Sequence, residues 1–303
     1  MSASAEGAGA FAPASTDSEL WARYAPRMRR VIEHVYDHLD APLDLNALAD
    51  IAHLSPHHWH RVYHAMHGET MAQTVKRLRL HRAAGQLANT SRPIAQIARD
   101  AGYPTLASFN RTFKSVYGLP PARYRASGQH RQFATPYTSD RSPGFGVAVR
   151  EMPALPLLGV EHRGSFMAIG RAFDLLYARI ATSGLGRPGM RMLALYFDDP
   201  AVTPEAELRS LAAVAGCARP GHDIGLVDTE APAGRCAVLD YIGPYASMRA
   251  AYDWLYGSWL PRSGHEPAGG PLVEEYFNNP RDTPPNELRT QIWLSLAEPV
   301  KPS

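Results

Sequence analysis

The sequence predicts a multi-domain chain: an all-α half built as two helix-turn-helix units, then an α+β half built by duplication with antiparallel sheets. Three observations lead there. Apolar residues keep helical spacing from about Glu19 to Arg125, and the pattern turns to mixed strand and helix beyond residue 146. Each half carries its own internal repeat, of about 50 residues in the first and about 80 in the second. The charge divides as well: residues 18 to 128 hold 15 Lys and Arg against 8 Asp and Glu, and residues 129 to 303 hold 16 against 19.

The expected domain plan is a disordered arm over 1–18, a helical domain over 19–126, a linker over 127–146 and a duplicated domain over 147–298, with repeats near 147–200 and 226–280. At 303 residues and 45% hydrophobic, the chain has material for one or two cores. The whole-chain charge of +2 decides nothing about partners, whereas the surplus in the first half fits a nucleic-acid footprint. No apolar run approaches a membrane span, and residues 1–17 lack the basic start and apolar stretch of an export signal. The expectation is a cytoplasmic protein with no membrane partner. Cys217 and Cys236 form no CxxC, so neither a disulfide framework nor a cysteine zinc site is expected.

Along the first half, Met28, Val31, Ile32, Val35 and Leu39 fall on one helix face. Asp44 then precedes a helix whose face is Leu45, Leu48, Ala49 and Ala52, and Ser55-Pro56 starts the next, which runs to Gly68. Ser55, Trp59, Arg61, Tyr63 and Gly68 recur as Thr105, Phe109, Arg111, Phe113 and Gly118. Leu48, Ala49 and Ala52 recur as Ile97, Ala98 and Ala101, which makes the second turn one residue longer. Alanines at matching places imply closely crossing helices. A long helix over Thr70 to Leu87 holds the two units apart.

In each unit the aromatic and aliphatic positions face the core and leave a polar stripe outside. His57, His60 and Arg61 form it in the first unit, and Thr105, Leu106, Ala107, Asn110 and Arg111 in the second. Arg bonds guanine bidentately, Asn pairs with adenine, and Leu or Ala meets a thymine methyl. Histidines crowd positions 53 to 67, but no Cys, Asp or Glu completes a coordination set, so no metal or cofactor is expected.

In the second half Glu151, Pro153 and Ala154 return as Glu230, Pro232 and Ala233, and Gly164 and Phe166 as Gly243 and Tyr245. The helix stripe Ile169, Phe173, Leu176, Ile180 returns as Met248, Tyr252, Leu255, Trp259. After a one-residue shift, Tyr196-Phe197-Asp198-Asp199-Pro200 matches Tyr276-Phe277-Asn278-Asn279-Pro280. Each unit therefore reads as two strands, a helix and two strands, with the pair related by a pseudo-twofold axis.

The stretch Gly102-Tyr103, Phe109-Asn110-Arg111-Thr112-Phe113-Lys114, Gly118-Leu119-Pro120-Pro121 and Tyr124-Arg125, behind a first helix-turn-helix, resembles the AraC/XylS family DNA-binding domain. That resemblance implies two recognition helices about one DNA turn apart, roughly 34 Å, entering successive major grooves of promoter DNA, with RNA polymerase as a further partner. Residues 146–297 are similar to the GyrI-like (DNA-gyrase-inhibitor-like) effector-binding domain, through Arg163-Gly164-Ser165-Phe166, Ile242-Gly243-Pro244-Tyr245 and Val273-Glu274-Glu275-Tyr276. The resemblance implies a groove for a small, often lipophilic and cationic effector, with Glu274 supplying the charge. Strand alternation sets Tyr276 beside Glu274, Trp293 on a later strand is taken to join them, and Phe166 and Tyr245 are the candidate walls. Each aromatic could equally be core, and Glu274 could lie on a solvent-facing strand. The whole reads as a ligand-responsive transcription regulator without a catalytic site. A hydrolase using Glu274 with Tyr245, or a protein-binding second half, is the alternative, and no phosphate loop, GxSxG or HExxH motif supports another enzyme class.

Overall fold

The computed structural model describes residues 18–67, 69–126, 145–221 and 223–298. The expected arm lies outside them except for Ser18, and the expected linker except for its last two residues.

Seven helices form the first half: α1 (Ser18–Asp37), α2 (Leu45–Ala52), α3 (Pro56–His67), α4 (Met71–Asn89), α5 (Ile94–Asp100), α6 (Leu106–Tyr117) and α7 (Pro121–Ala126). Side chains set their ends. The Asp44 carboxylate accepts from the Asn46 and Ala47 amides at 2.9 and 3.2 Å, and Thr105 accepts from the Ser108 amide at 3.1 Å. Thr70 and Gln73 complete a reciprocal capping box at the head of α4. The chain leaves α2 through His53 in the left-handed conformation, φ 51°. The longer second turn uses Gly102 there, at φ 78°, where a Cβ would lie 2.5 Å from Arg79 Nη1.

The α4 helix serves both units. Its first half, through Met71, Val75 and Leu78, joins a core with α1, α2 and α3 built around Trp59 and Tyr63. Its second half, through Leu80, Ala83, Ala84 and Leu87, joins a core with Ile97, Phe109, Phe113 and Tyr124. The matched alanines 49, 52, 98 and 101 are all buried, as close helix crossings require.

In the second half each repeat runs strand, strand, 3-10 turn, helix, strand, strand. The first holds β1 (Val147–Met152), β2 (Leu155–Arg163), the turn Phe166–Ala168, α8 (Gly170–Thr182), β3 (Arg191–Tyr196) and β4 (Arg209–Ala215). The second holds β5 (Val227–Ala231), β6 (Gly234–Ile242), the turn Tyr245–Ser247, α9 (Arg249–Trp254), β7 (Leu272–Tyr276) and β8 (Arg289–Ser295). All eight strands join one antiparallel sheet in the order β1-β6-β8-β7-β3-β4-β2-β5. The repeats exchange edges: β1 pairs with β6, and β5 pairs with β2. The β3–β7 pairing at the centre fuses what would otherwise be two sheets.

One face of the sheet is covered by α8 and α9. Ala194, Ala212 and Val214 pack under α8, and Ala237, Leu239 and Ile292 under α9. Leu193, Leu195, Val273 and Trp293 lie on the other face. The two halves meet where α1 lies along α8 and where α4 and α7 reach the turn Tyr245–Ser247. Tyr124 and Ser247 share a buried hydroxyl hydrogen bond of 2.9 Å across that seam. No helix among the described residues is long and apolar enough to cross a membrane.

Candidate functional sites for DNA and a small molecule

On the helical half, α3 and α6 are the second helices of the two units, and Arg61 and Arg111 stand at equivalent exposed positions on them. Asn110, Ala107 and Leu106 are exposed beside Arg111, with Leu106 43% accessible. His60 is half-buried, its ring edge-on to Trp59 at 6.0 Å. The side chain of His57 lies outside the description. Thr105 is exposed, but its hydroxyl is committed to capping α6. Several arginines of this half are held by the fold itself: Arg79 donates to the Leu39 carbonyl at 2.8 Å, Arg77 pairs with Glu69 at 2.6 Å, and Arg82 pairs with Asp40. Arg61 and Arg111 stand clear on the outer face.

Between the domains an ion cluster links three elements. Arg281, just past β7, pairs with Asp174 of α8 at 2.5 Å and reaches Glu69 at 3.7 Å. Glu69 also holds Arg77, and Asp174 accepts from the Tyr36 hydroxyl of α1 at 3.4 Å. Beside it, a cavity of about 230 Å³ lies between α1 and α8, lined by Met28, Ile32, His67, Val160 and Leu175 with charged residues at its rim.

The charged centre of the second half lies elsewhere. Glu274, on β7, is 5% exposed and faces the helix-covered side of the sheet. Its Oε2 accepts from the Tyr276 hydroxyl at 2.6 Å and the Tyr196 hydroxyl at 3.3 Å, and its Oε1 accepts from Tyr252. Tyr196 and Tyr276 also share a hydrogen bond of 2.9 Å. Around them the rings are arranged in pairs that follow the repeat. Phe166 meets Tyr196 edge-on at 4.7 Å, as Tyr245 meets Tyr276 at 5.4 Å. Phe173 of α8 abuts Tyr276 at 5.6 Å, and Tyr252 of α9, its equivalent, reaches the carboxylate.

Desolvation raises the Glu274 carboxyl above its usual value, and the three tyrosine donors oppose that rise without cancelling it. Burial and the adjacent carboxylate push the Tyr196, Tyr252 and Tyr276 hydroxyls well up, so all three remain protonated donors. This is a buried aromatic cage with one carboxylate at its centre.

Of the predicted cage residues, the structure brings together Glu274, Tyr276, Tyr245 and Phe166. It does not bring Trp293. That residue pairs across the strands with Val273, and neighbours on a strand point to opposite faces, so Trp293 lies behind the sheet with the Arg191 guanidinium 5.8 Å from its ring. Arg191 there makes a two-pronged bond to Glu275 at 2.6 and 2.9 Å. Tyr196 and Tyr252 are further cage members that the sequence alone does not single out. Both were visible as repeat partners, Tyr196 of Tyr276 and Tyr252 of Phe173, but pairing alone does not say which ring turns to the carboxylate. Among the described residues no group of three or more His, Cys, Asp and Glu side chains is placed to hold a metal, and both cysteines are free thiols.

Comparison with known proteins matches residues 147–297 to the GyrI-like small molecule binding domain and residues 48–127 to a helix-turn-helix domain. The regulatory protein SoxS of Salmonella typhimurium is 31% identical over 98 residues, which cover 32% of this chain and 92% of SoxS. The bifunctional transcriptional activator and DNA repair enzyme AdaA of Bacillus subtilis is 34% identical over 95 residues, but the match spans 31% of this chain and 45% of AdaA. Among solved structures, the C-terminal domain of EcmrR superposes with a TM-score of 0.45 and 18% identity, covering 51% of this chain and 98% of that domain. The chain belongs to the AraC family of transcription regulators, with an AraC-type helix-turn-helix domain that binds DNA and a GyrI-like domain that binds a small molecule.

Proposed function

We propose that the GyrI-like domain senses a small lipophilic cation, held by Glu274 within the rings of Phe166, Tyr196, Tyr245, Tyr252 and Tyr276, and that its occupancy changes DNA affinity, DNA orientation or contact with RNA polymerase. One observation carries the reading: a carboxylate buried to 5% exposure, with no Lys or Arg paired to it among the described residues, ringed by tyrosines. Holding that charge in a buried cage costs desolvation energy. A cation arriving over the rings offsets that cost by ion pairing and by cation–π attraction, each ring contributing about 0.5–2 kcal/mol. A neutral ligand of the same shape gains only burial. On the DNA side, we propose His57, His60 and Arg61 of the first unit and Thr105, Leu106, Ala107, Asn110 and Arg111 of the second as the residues that meet the duplex.

The chain is proposed to act without catalysis. A hydrolase built on Glu274 and Tyr245 has less support, because the hydroxyls on the carboxylate belong to Tyr196, Tyr252 and Tyr276, while Tyr245 meets Tyr276 through its ring.

The test is a thermal-shift screen of the full chain against lipophilic cations and neutral analogues of equal size, repeated with Glu274→Gln. A ligand at 100 times its Kd adds about 2.7 kcal/mol, which moves the midpoint by several degrees. Shifts that favour cations and vanish with Glu274→Gln are the expected result. Shifts indifferent to charge and to Glu274 would reject the cage as the sensor.

A further inference from the structure

The cage is enclosed on every side by identifiable elements. Its floor is the sheet, where Ala194 and Ile292 flank Glu274. Its two sides are α8, through Phe173, and α9, through Tyr252. The remaining side lies between the two 3-10 turns, where Phe166 and Tyr245 stand at equivalent places in the repeats. Against those turns lies a helix of the other domain, α4.

The residues of α4 that meet the turns follow one face at i, i+4. His81 presents its ring to Tyr245 edge-on at 6.4 Å. One turn further, Gly85 is buried against Met167; a Cβ at that position would lie 3.0 Å from Met167 Cε. Glycine inside a helix costs about 1 kcal/mol relative to alanine, and here its small size permits the close approach. On the second repeat, Ala246 inserts into the core that α4 shares with α5, α6 and α7. One helix of the DNA-binding domain thus touches the equivalent turn of both repeats, across the pseudo-twofold axis that passes between Ala194 and Glu274.

We propose that α4 is the lid of the effector groove. A ligand reaching Glu274 enters between the turns Phe166–Ala168 and Tyr245–Ser247 and breaks the seam formed by His81 and Gly85, so that ligand occupancy and the docked arrangement of the two domains exclude each other. This inference rests on the reading of Glu274 as the ligand's counter-charge. It makes the helix that sets the separation of the two helix-turn-helix units the same helix that the ligand displaces, which couples occupancy to DNA reading without any contact between ligand and DNA. It also means that apparent affinity is lowered by the fraction of chains in the docked state, and that loosening the seam raises it.

The experiment measures binding of tetraphenylphosphonium to the full chain by titration calorimetry, in the wild type, in Gly85→Leu and in His81→Ala, each with and without Glu274→Gln. Gly85→Leu wedges α4 away from Met167, and His81→Ala removes the ring over Tyr245. Circular dichroism establishes which variants are folded, and His81→Ala decides the matter if Gly85→Leu is not. The expected result is binding about tenfold tighter in the loosened variants than in the wild type, and lost with Glu274→Gln throughout. Glu274-dependent binding of equal or lower affinity in the loosened variants overturns the lid and leaves the cage standing. Binding that is absent throughout, or indifferent to Glu274→Gln throughout, rejects the cage and the lid together.

Discussion

Ala194 and Glu274 face each other directly across the β3–β7 pair, at positions that the internal repeat makes equivalent. The pseudo-twofold axis therefore passes through this pair, and the duplicated domain breaks its symmetry at that point. Two glutamates there would set like charges roughly 5 Å apart in a buried site, and one would have to stay protonated. With Ala194 opposite, completely buried, the domain keeps a symmetric aromatic cage around a single charge.

The raised Glu274 carboxyl has a consequence for stability. In the unfolded chain this group releases its proton at the ordinary carboxylate value, and in the folded chain it does so at a higher pH. Between those two values the folded state binds more protons, so stability falls as pH rises through the window. Glu274→Gln removes that contribution. Chemical denaturation of both proteins from pH 4 to 8 should show the wild type losing stability relative to Glu274→Gln as pH increases. Parallel curves would mean that the carboxylate is better solvated than its burial indicates.

Much of the architecture was legible because duplication writes the same constraint twice. Trp59 and Phe109, or Ile169 and Met248, are interpretable as core because both copies agree, and the matched alanines mark close crossings that the structure contains. What could not be read depends on tertiary register. Trp293 and Glu274 lie on adjacent strands, and only the pairing of Trp293 with Val273 sends its ring behind the sheet. Likewise, nothing in the spacing of His81 and Gly85 on α4 points to the second domain, since an interface formed across a long connection leaves no periodic trace. Composition also does not say which arginines face outward, and Arg77, Arg79 and Arg82 are held by partners within the fold.

The Asp174–Arg281–Glu69–Arg77 cluster ties β7's following loop to α8, α4 and the α3–α4 turn. Removing Arg281 takes away the cation paired with Asp174 at the domain seam, while Glu69 keeps Arg77. Arg281→Ala should lower stability by about 2–3 kcal/mol, below the roughly 3–5 kcal/mol of a fully buried broken pair because the Arg281 and Asp174 side chains keep 21% and 16% of their exposure. Urea unfolding measures it, and a loss below about 0.5 kcal/mol would reduce the cluster to an ordinary surface ion pair.

Gly102 illustrates a constraint that is local and steric at once. Its φ of 78° disfavours any side chain, and a Cβ would press on the guanidinium of Arg79, which bonds the Leu39 carbonyl. Gly102→Ala should cost about 1–2 kcal/mol by thermal or urea unfolding. A neutral substitution would show that the α5–α6 turn relaxes freely and that Arg79 does not anchor it.

The second helices of the two units, α3 and α6, are equivalent by repeat but not by exposed chemistry. On α6, Arg111 stands exposed beside Asn110, Ala107 and Leu106, which supplies a bidentate donor, an amide and two apolar contacts on one surface. On α3, Arg61 is the only arginine, and its described neighbours are histidines. Arg111→Ala should therefore weaken binding to the specific operator by about 1–3 kcal/mol and relax preference at one base pair, if its guanidinium reads a guanine edge. A phosphate contact predicts something different: a loss that is uniform across sequences and a salt slope smaller by about 1. Measuring affinity for specific and scrambled duplexes at several salt concentrations separates these outcomes. The loss expected for Arg111→Ala is confined to the specific duplex, and an unchanged affinity for both duplexes would remove α6 from the DNA interface.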